Sequence, residues 1–122
     1  MPAYAKVRLV TPVFHPSDIA FLHGWSRAAP GHGGWRIEVD DERSPERVGV
    51  MPPGAEEALF VIRREAHETV LFRRRPARNG ELEEIARFDG LRDALLALCP
   101  LPDEALEDIH LDLERSFPRR RR

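Results

Sequence analysis

Three histidines around the first predicted helix offer the side chains best suited to chemistry. His15, His23 and His32, together with Asp18, supply imidazole and carboxylate groups of the kind that bind zinc, iron or nickel. Their spacing matches no metal-binding motif, and the EAHE sequence at 65–68 lacks the second histidine of the HExxH motif. A metal-dependent enzyme that uses these four residues is one hypothesis. The simpler interpretation places His15 and His32 in loops and His23 on a partly exposed helix face.

The residues that could act as nucleophiles have no catalytic setting. Cys99 follows an amphipathic segment, and the negative end of a helix dipole raises the pKa of a thiol, so we interpret Cys99 as a small buried residue. No serine lies in a Gly-x-Ser-x-Gly motif. The glycine-rich residues 31–34 lead into a predicted strand, whereas phosphate-binding loops lead into a helix. We therefore expect no catalytic residue and no cofactor.

Arginine provides nearly all of the positive charge and could bind phosphate groups of a nucleic acid. The net charge is −2, and the last four residues contribute four positive charges, so the rest of the chain carries −6. Because nucleic-acid-binding domains are usually basic, we treat nucleic-acid binding as an alternative hypothesis. It would use the arginines at the ends of two predicted strands and the arginines that end the sequence: Arg63, Arg64, Arg73, Arg74, Arg75, Arg78 and Arg119–Arg122.

The N-terminal half predicts a strand, a helix and two further strands. Polar and apolar residues alternate over 4–11, which predicts a strand. Ser17 or Asp18 is expected to cap a helix that runs to about Ala28. Alternation predicts strands over 35–40 and 47–51, and the second strand ends at the Pro-Pro-Gly sequence 52–54.

Residues 55–75 fit either one long helix or two strands. We favour strands at about 58–64 and 69–75, because both segments are rich in β-branched and aromatic residues and 65–68 can form a turn. A third strand at about 83–88 follows Asn79-Gly80, a pair that tolerates the positive φ angles of a hairpin turn.

Two amphipathic helices are predicted to end the fold. The first begins at Asp89 or Gly90 and ends before Pro100. Asp103 is expected to cap the second helix, which ends at Pro118. The predicted fold is therefore α+β: an antiparallel meander of five to six strands, with an N-terminal helix and two C-terminal helices packed on it.

Composition restricts the class of protein. The length of 122 residues suits one domain, which we place at 1–118, followed by a flexible basic tail at 119–122. A single cysteine excludes an intrachain disulfide, and no apolar run is long enough to cross a bilayer. The N-terminal residues do not resemble a secretory signal, so we expect a cytoplasmic protein with no membrane contact.

The apolar residues favour a binding function. Residues 59–62 are apolar on both faces of their predicted strand, so this strand should be central and covered on both sides. Trp25 and Trp35 flank the glycine-rich loop, and tryptophan is enriched where proteins bind each other. We therefore expect a small non-enzymatic accessory or regulatory protein that binds another protein or a second copy of itself. The candidate contacts are Trp25, Trp35, Phe60 and Ile62.

Overall fold

A five-stranded antiparallel sheet and three helices make up the computed structural model, which describes residues 13–30, 34–41 and 43–118. The predicted α+β meander is confirmed, while the predicted strand at 4–11 and the tail at 119–122 lie outside the described residues. None of the described helices combines the length and apolar character needed to cross a membrane. In chain order the elements are α1 (Pro16–Ala28), β1 (Arg36–Val39), β2 (Arg47–Met51), β3 (Phe60–Glu65), β4 (Glu68–Arg75), a 3-10 helix (Pro76–Arg78), β5 (Glu81–Phe88), α2 (Leu91–Leu98) and α3 (Asp103–Ser116).

The strands lie in the sheet in the same order as in the sequence, so β3 is central, as predicted. Each strand pairs antiparallel with the next. A tight turn at Ala66, which has a φ of 50°, joins β3 to β4. Asn79 and Gly80 have φ angles of 57° and 77° between the 3-10 helix and β5, which confirms the predicted hairpin turn.

α1 and α2 pack on one face of the sheet, which we call the helix side, and α3 packs against α1. Trp25 is fully buried in α1, and its indole Nε1 donates a hydrogen bond to the carbonyl oxygen of Cys99 at 3.0 Å. Cys99 is buried as predicted, and its burial raises the pKa of the thiol. The largest side chains of this core come from both layers: Phe14, Phe21, Leu22, Trp25, Leu91 and Leu95 next to Val48, Val50, Ile62 and Leu71.

The opposite face of the sheet, which we call the outer face, carries none of the described helices. The expectation that a helix covers β3 there is wrong for the described helices, whereas a partner on this face stays a prediction. Val61 and Val70 are nevertheless only 2% and 0% exposed. Their cross-strand neighbours on this face include Phe72, Arg63 and Arg87, whose long side chains cover the valines.

Two helix caps differ from the predicted ones. His15 is the N-cap of α1, and its Nδ1 accepts a hydrogen bond from the backbone N–H of Ser17 at 3.0 Å. The helix begins at Pro16, earlier than predicted, because the fixed φ of proline suits the first helical position. Pro102 precedes α3 in an extended conformation, so Asp103 lies inside the first turn, where its charge suits the helix dipole.

Candidate functional site

An open cleft of about 690 Å³ lies where α1 begins and α3 ends. Three helices position its side chains, which come from distant parts of the sequence. The size is within the range of ligand-binding clefts, roughly 300–1,000 Å³. The lining combines cationic, aromatic and aliphatic groups: His15, Ser17, Arg92, His110, Leu113, Glu114, Phe117 and Pro118.

Arg92 is the fixed cation of the cleft. It lies in the first turn of α2, and its guanidinium carbon is 5.3 Å from the centre of the Phe21 ring, in a cation–π contact. Its Nε is 3.5 Å from Oδ1 of Asp18. The side chain is 38% exposed, so these contacts orient the guanidinium and still leave part of it open to a ligand.

His15 and Ser17 form a helix cap on the wall of the cleft. Nδ1 of His15 is 2.8 Å from the Ser17 hydroxyl and also accepts the backbone N–H of Ser17. A histidine that activates a serine must use an imidazole lone pair to accept the hydroxyl proton. Here the backbone of α1 occupies that lone pair, so the contact stabilises the helix rather than a nucleophile.

Aromatic rings form the rim of the cleft. Phe117 follows the last residue of α3 and is 38% exposed, and its ring centre lies 6.3 Å from that of His15 in an edge-to-face arrangement. His110 lies against Phe21, with ring centres 6.2 Å apart. Leu113 is 8% exposed and forms an apolar surface beside them. The cleft can therefore hold an apolar side chain next to a group that pairs with Arg92.

The outer face is a second candidate surface and carries rows of alternating charge. Because paired residues share a face and successive residues alternate, the register places side chains in four transverse rows. The first row is positive, the second negative, the third positive and the fourth negative. Their members are Arg36, Met51, Arg74 and Leu82; Glu38, Gly49, Val61, Phe72 and Glu84; Arg47, Arg63, Val70 and Arg87; and Glu65 and Glu68.

Arg87 links the rows by ion pairs. It donates hydrogen bonds to both carboxylate oxygens of Glu84, at 2.8 and 2.9 Å, and to Oε1 of Glu68 at 2.9 Å. The hydrogen bond from Arg87 lowers the pKa of the Glu84 carboxyl group. Arg63 lies over the Phe72 ring at 5.3 Å from its centre. The centre of this face is therefore aromatic and aliphatic, with charged rows on both sides.

The histidines proposed as metal ligands do not meet among the described residues. His15 caps α1, and His23 lies eight positions further on, about 12 Å along the helix axis. His32 lies outside the described residues. In the described part of the chain, no group of three or more histidine, cysteine, aspartate or glutamate residues could hold a metal ion.

The six arginines proposed for nucleic-acid binding are divided between the two faces of the sheet. Two lie on the outer face, three on the helix side and one in the 3-10 helix: Arg63 and Arg74; Arg64, Arg73 and Arg75; and Arg78. Arg73 and Arg75 both contact Oε1 of Glu83, at 3.0 and 2.8 Å. Arg74 donates hydrogen bonds to the carbonyl oxygens of Ala58 and Gly80. Arg73, Arg74 and Arg75 therefore make contacts within the chain, and the six arginines form no single patch.

The four residues proposed to contact a protein lie in or beside the core. Trp25 and Ile62 are fully buried, which corrects their assignment to a binding surface. Trp35 and Phe60 are half-buried and pack against the core. The ring of Trp35 lies edge-on to that of Trp25, 5.4 Å between centres, so the tryptophans flanking the glycine-rich loop stabilise the fold.

Of the residues that line the cleft, sequence reasoning singled out only His15 as a functional candidate, and it did so as a metal ligand. Phe117 continues the apolar stripe of α3, which predicts burial, but it lies at the helix end and is partly exposed. The sequence did contain one indication that Phe117 is partly exposed. Phe117 directly precedes Pro118, and proline ends the helix there. Arg92 and His110 carried no signal, since only helix packing brings them together.

Comparison of the chain with protein-family models, with curated proteins and with solved structures gives no match. The two surfaces therefore provide the basis for a functional proposal. The cleft is concave and brings an exposed aromatic ring and an oriented cation together, as ligand-binding clefts combine apolar walls with a few placed polar groups.

Proposed function

We propose that this protein is a non-enzymatic accessory or regulatory protein that binds an acidic segment of another protein in the cleft between α1 and α3. One observation supports this most directly: Phe117, 38% exposed at the rim, lies in the same concave surface as the cation Arg92.

The apolar part of the cleft suits an anchoring side chain. Energetically dominant contacts between proteins place an aromatic or aliphatic anchor in a pocket that excludes water. Phe117, Leu113 and Pro118 provide the apolar walls of such a pocket, and the buried Phe21 supports its lining residues Arg92 and His110 from behind. An aromatic or branched aliphatic side chain of the partner would pack there.

Charge selects an acidic partner. Among the residues that line the cleft, the charge of Arg92 is balanced by that of Glu114, so the walls are close to neutral. In the sequence, four arginines follow Pro118 directly, and they add four positive charges next to a residue that lines the cleft. Carboxylates beside the anchor of the partner would be attracted by this positive charge, and such attraction accelerates association at low salt.

A protein partner fits better than a nucleic acid. Phosphate binding requires several free cations on one surface. The arginines of β4 already contact Glu83 or backbone carbonyls, and the chain without its last four residues carries −6. That acidic body would repel a polyanion, whereas a short acidic segment needs only the region around the cleft.

Peptide selection tests the proposal. Immobilised protein is used to select from a library of short random peptides, and the selected peptides are synthesised and titrated by fluorescence anisotropy. We expect acidic residues beside an aromatic or aliphatic residue, and affinity about tenfold weaker for Phe117→Ala and for Arg92→Gln. Leu111→Ala is the matched control, because Leu111 is 51% exposed on the same helix but does not line the cleft.

Two outcomes would contradict the proposal. One is equal affinity of the selected peptides for the wild-type protein and both cleft variants. The other is tighter binding of a labelled RNA oligonucleotide than of any selected peptide at moderate salt, which would favour the nucleic-acid hypothesis instead.

A further inference from the structure

We propose that a second copy of this chain docks on the outer face of the sheet, face to face and with antiparallel strands. This inference concerns a surface on the opposite side of the sheet from the helices and does not depend on the proposed cleft function. It rests on the order of the four charged rows defined above.

The rows are complementary to themselves under a two-fold rotation. A symmetric dimer brings the same surface of both copies together. The rotation axis lies between the second and third rows and runs at right angles to the strands. This rotation puts the negative second row against the positive third row of the other copy. The same rotation puts the positive first row against the negative fourth row. Opposite charges thereby meet along β4 and β5.

The match is most specific along β4 and β5. The rotation keeps each strand over its counterpart, so Glu84 faces Arg87 of the second copy, and Arg74 faces Glu68 of the second copy. Arg74 is already held by the carbonyl oxygens of Ala58 and Gly80, which fixes its position in the row. Opposed charges on both sides of the axis would set the register of the two sheets.

The apolar part of the face lies at the axis. Phe72 belongs to the second row and Val70 to the third, so each copy places Phe72 against Val70 of the other. The ring of Phe72 is half-buried under Arg63 in the single chain. Docking would complete its burial and place an aromatic contact between the two charged pairs.

The area agrees with a weak dimer. Five strands about 4.8 Å apart and four rows about 6.8 Å apart cover roughly 600 Å². Two such faces bury about 1,200 Å², at the lower limit of stable protein interfaces. Since most of that surface is charged, the association should weaken as salt screens the opposed rows.

The face is a better docking surface than the edge of the sheet. β5 is an edge strand, since β4 is the only described strand that pairs with it. A bulge at Ile85, however, interrupts the regular register of β5. Glu81 and Glu83 also lie along this strand, and bulges and charges are the usual means by which edge strands avoid pairing with another chain. None of the described residues obstructs the outer face in a comparable way.

Analytical ultracentrifugation of the full chain tests the oligomeric state. We expect a monomer–dimer equilibrium at low salt. The dissociation constant of the dimer should be at least about tenfold larger at high salt. A protein that stays monomeric at low salt up to its solubility limit would overturn the proposal.

Charge reversal tests the surface itself. Glu84→Arg places arginine against Arg87 of the second copy, and Arg87→Glu places glutamate against Glu84 of the second copy. Each variant should dimerise at least about tenfold more weakly than the wild type, because like charges then face each other. A mixture of the two variants should form a heterodimer, since both opposed pairs are again of opposite sign. Circular dichroism confirms that each variant is folded.

A matched pair on the helix side provides the control. Arg73 and Glu83 lie on the same two strands, 3.0 Å apart and similarly exposed, but face away from the proposed interface. Arg73→Glu and Glu83→Arg should leave dimerisation unchanged. Should Arg87→Glu fail to fold, Glu84→Arg compared with Glu83→Arg still tests the surface. A Glu84→Arg variant that dimerises like the wild type, or a Glu83→Arg variant that alone loses the dimer, would overturn the proposal.

Discussion

A buried hydroxyl group in β4 provides a sharp test of the core. The side chain of Thr69 is 0% exposed, and its Oγ1 has no hydrogen-bond partner among the described residues. Thr69 lies on the helix side of the sheet and pairs with Phe88 of β5. The substitution Thr69→Val replaces the hydroxyl with a methyl group of nearly the same shape, so it changes polarity and leaves the volume almost unchanged.

The expected gain follows from the two groups exchanged. An unpaired hydroxyl in the interior costs about 1–3 kcal/mol, because it has lost its hydrogen bonds to water. A buried methyl contributes about 0.8 kcal/mol. Taking the lower end of the first cost, we therefore expect Thr69→Val to raise the free energy of unfolding by about 2 kcal/mol, and the melting temperature by about 4 °C for each kcal/mol. Thr69→Ser keeps the hydroxyl and loses the methyl, so it should lower the free energy of unfolding by about 1 kcal/mol.

Urea denaturation followed by circular dichroism measures all three proteins under one condition. The predicted order of stability is Thr69→Val above the wild type and the wild type above Thr69→Ser. A Thr69→Val variant less stable than the wild type would refute the reasoning, because it would show that the hydroxyl makes a stabilising hydrogen bond in the folded protein.

Two further predictions concern helix packing and acid stability. Gly24→Ala should destabilise the protein, because the added methyl would lie 3.1 Å from Cγ1 of the buried Ile109. In an Ile109→Ala background the same substitution should instead stabilise the protein by up to about 1 kcal/mol, since alanine has the higher helix propensity. Equal shifts of the melting temperature in both backgrounds would contradict this explanation. A hydrogen bond from Arg73, with a further contribution from Arg75, lowers the pKa of Glu83 in the folded protein. The stability that this carboxylate contributes is therefore fully present above the pKa of the unfolded state, and it is lost as the pH falls through the lower pKa of the folded state. Arg73→Gln should raise the pKa of Glu83 in an NMR titration, and an unchanged midpoint would argue against the contact.

Much of the sheet could be predicted from local signals. β2 matches its predicted bounds of 47–51, because Pro52 and Pro53 end it with residues that cannot continue the ladder. Two strands rather than one helix occupy 55–75, as the β-branched and aromatic runs predicted. β3 begins at Phe60, slightly later than predicted, although the backbone N–H of Leu59 still donates to the carbonyl of Val50 at 3.1 Å. Such boundary shifts reflect fraying of strand ends rather than a different fold.

The cleft could not be predicted, because its side chains come from three helices whose packing is not written in any local pattern. His15, Arg92 and Phe117 are distant in the sequence and meet only because α2 and α3 both pack against α1. The crossing of α1 and α3 is close because Gly24 presents no side chain to Ile109. A glycine inside an amphipathic helix indicates a close contact, but it does not identify the partner helix.

The charged rows depend on one irregularity that the sequence does not reveal. Glu84 and Arg87 are three residues apart, and in a regular strand that spacing would place them on opposite faces of the sheet. Ile85 is the extra residue of a bulge opposite Leu71 and Phe72, so both charged side chains lie on the outer face, where they form the ion pair at 2.8 Å. The same bulge interrupts the regular pairing of β5, which is an edge strand, and brings the charges of Glu84 and Arg87 onto the outer face. One inserted residue therefore protects the edge from pairing and creates the surface on which a second copy is proposed to dock.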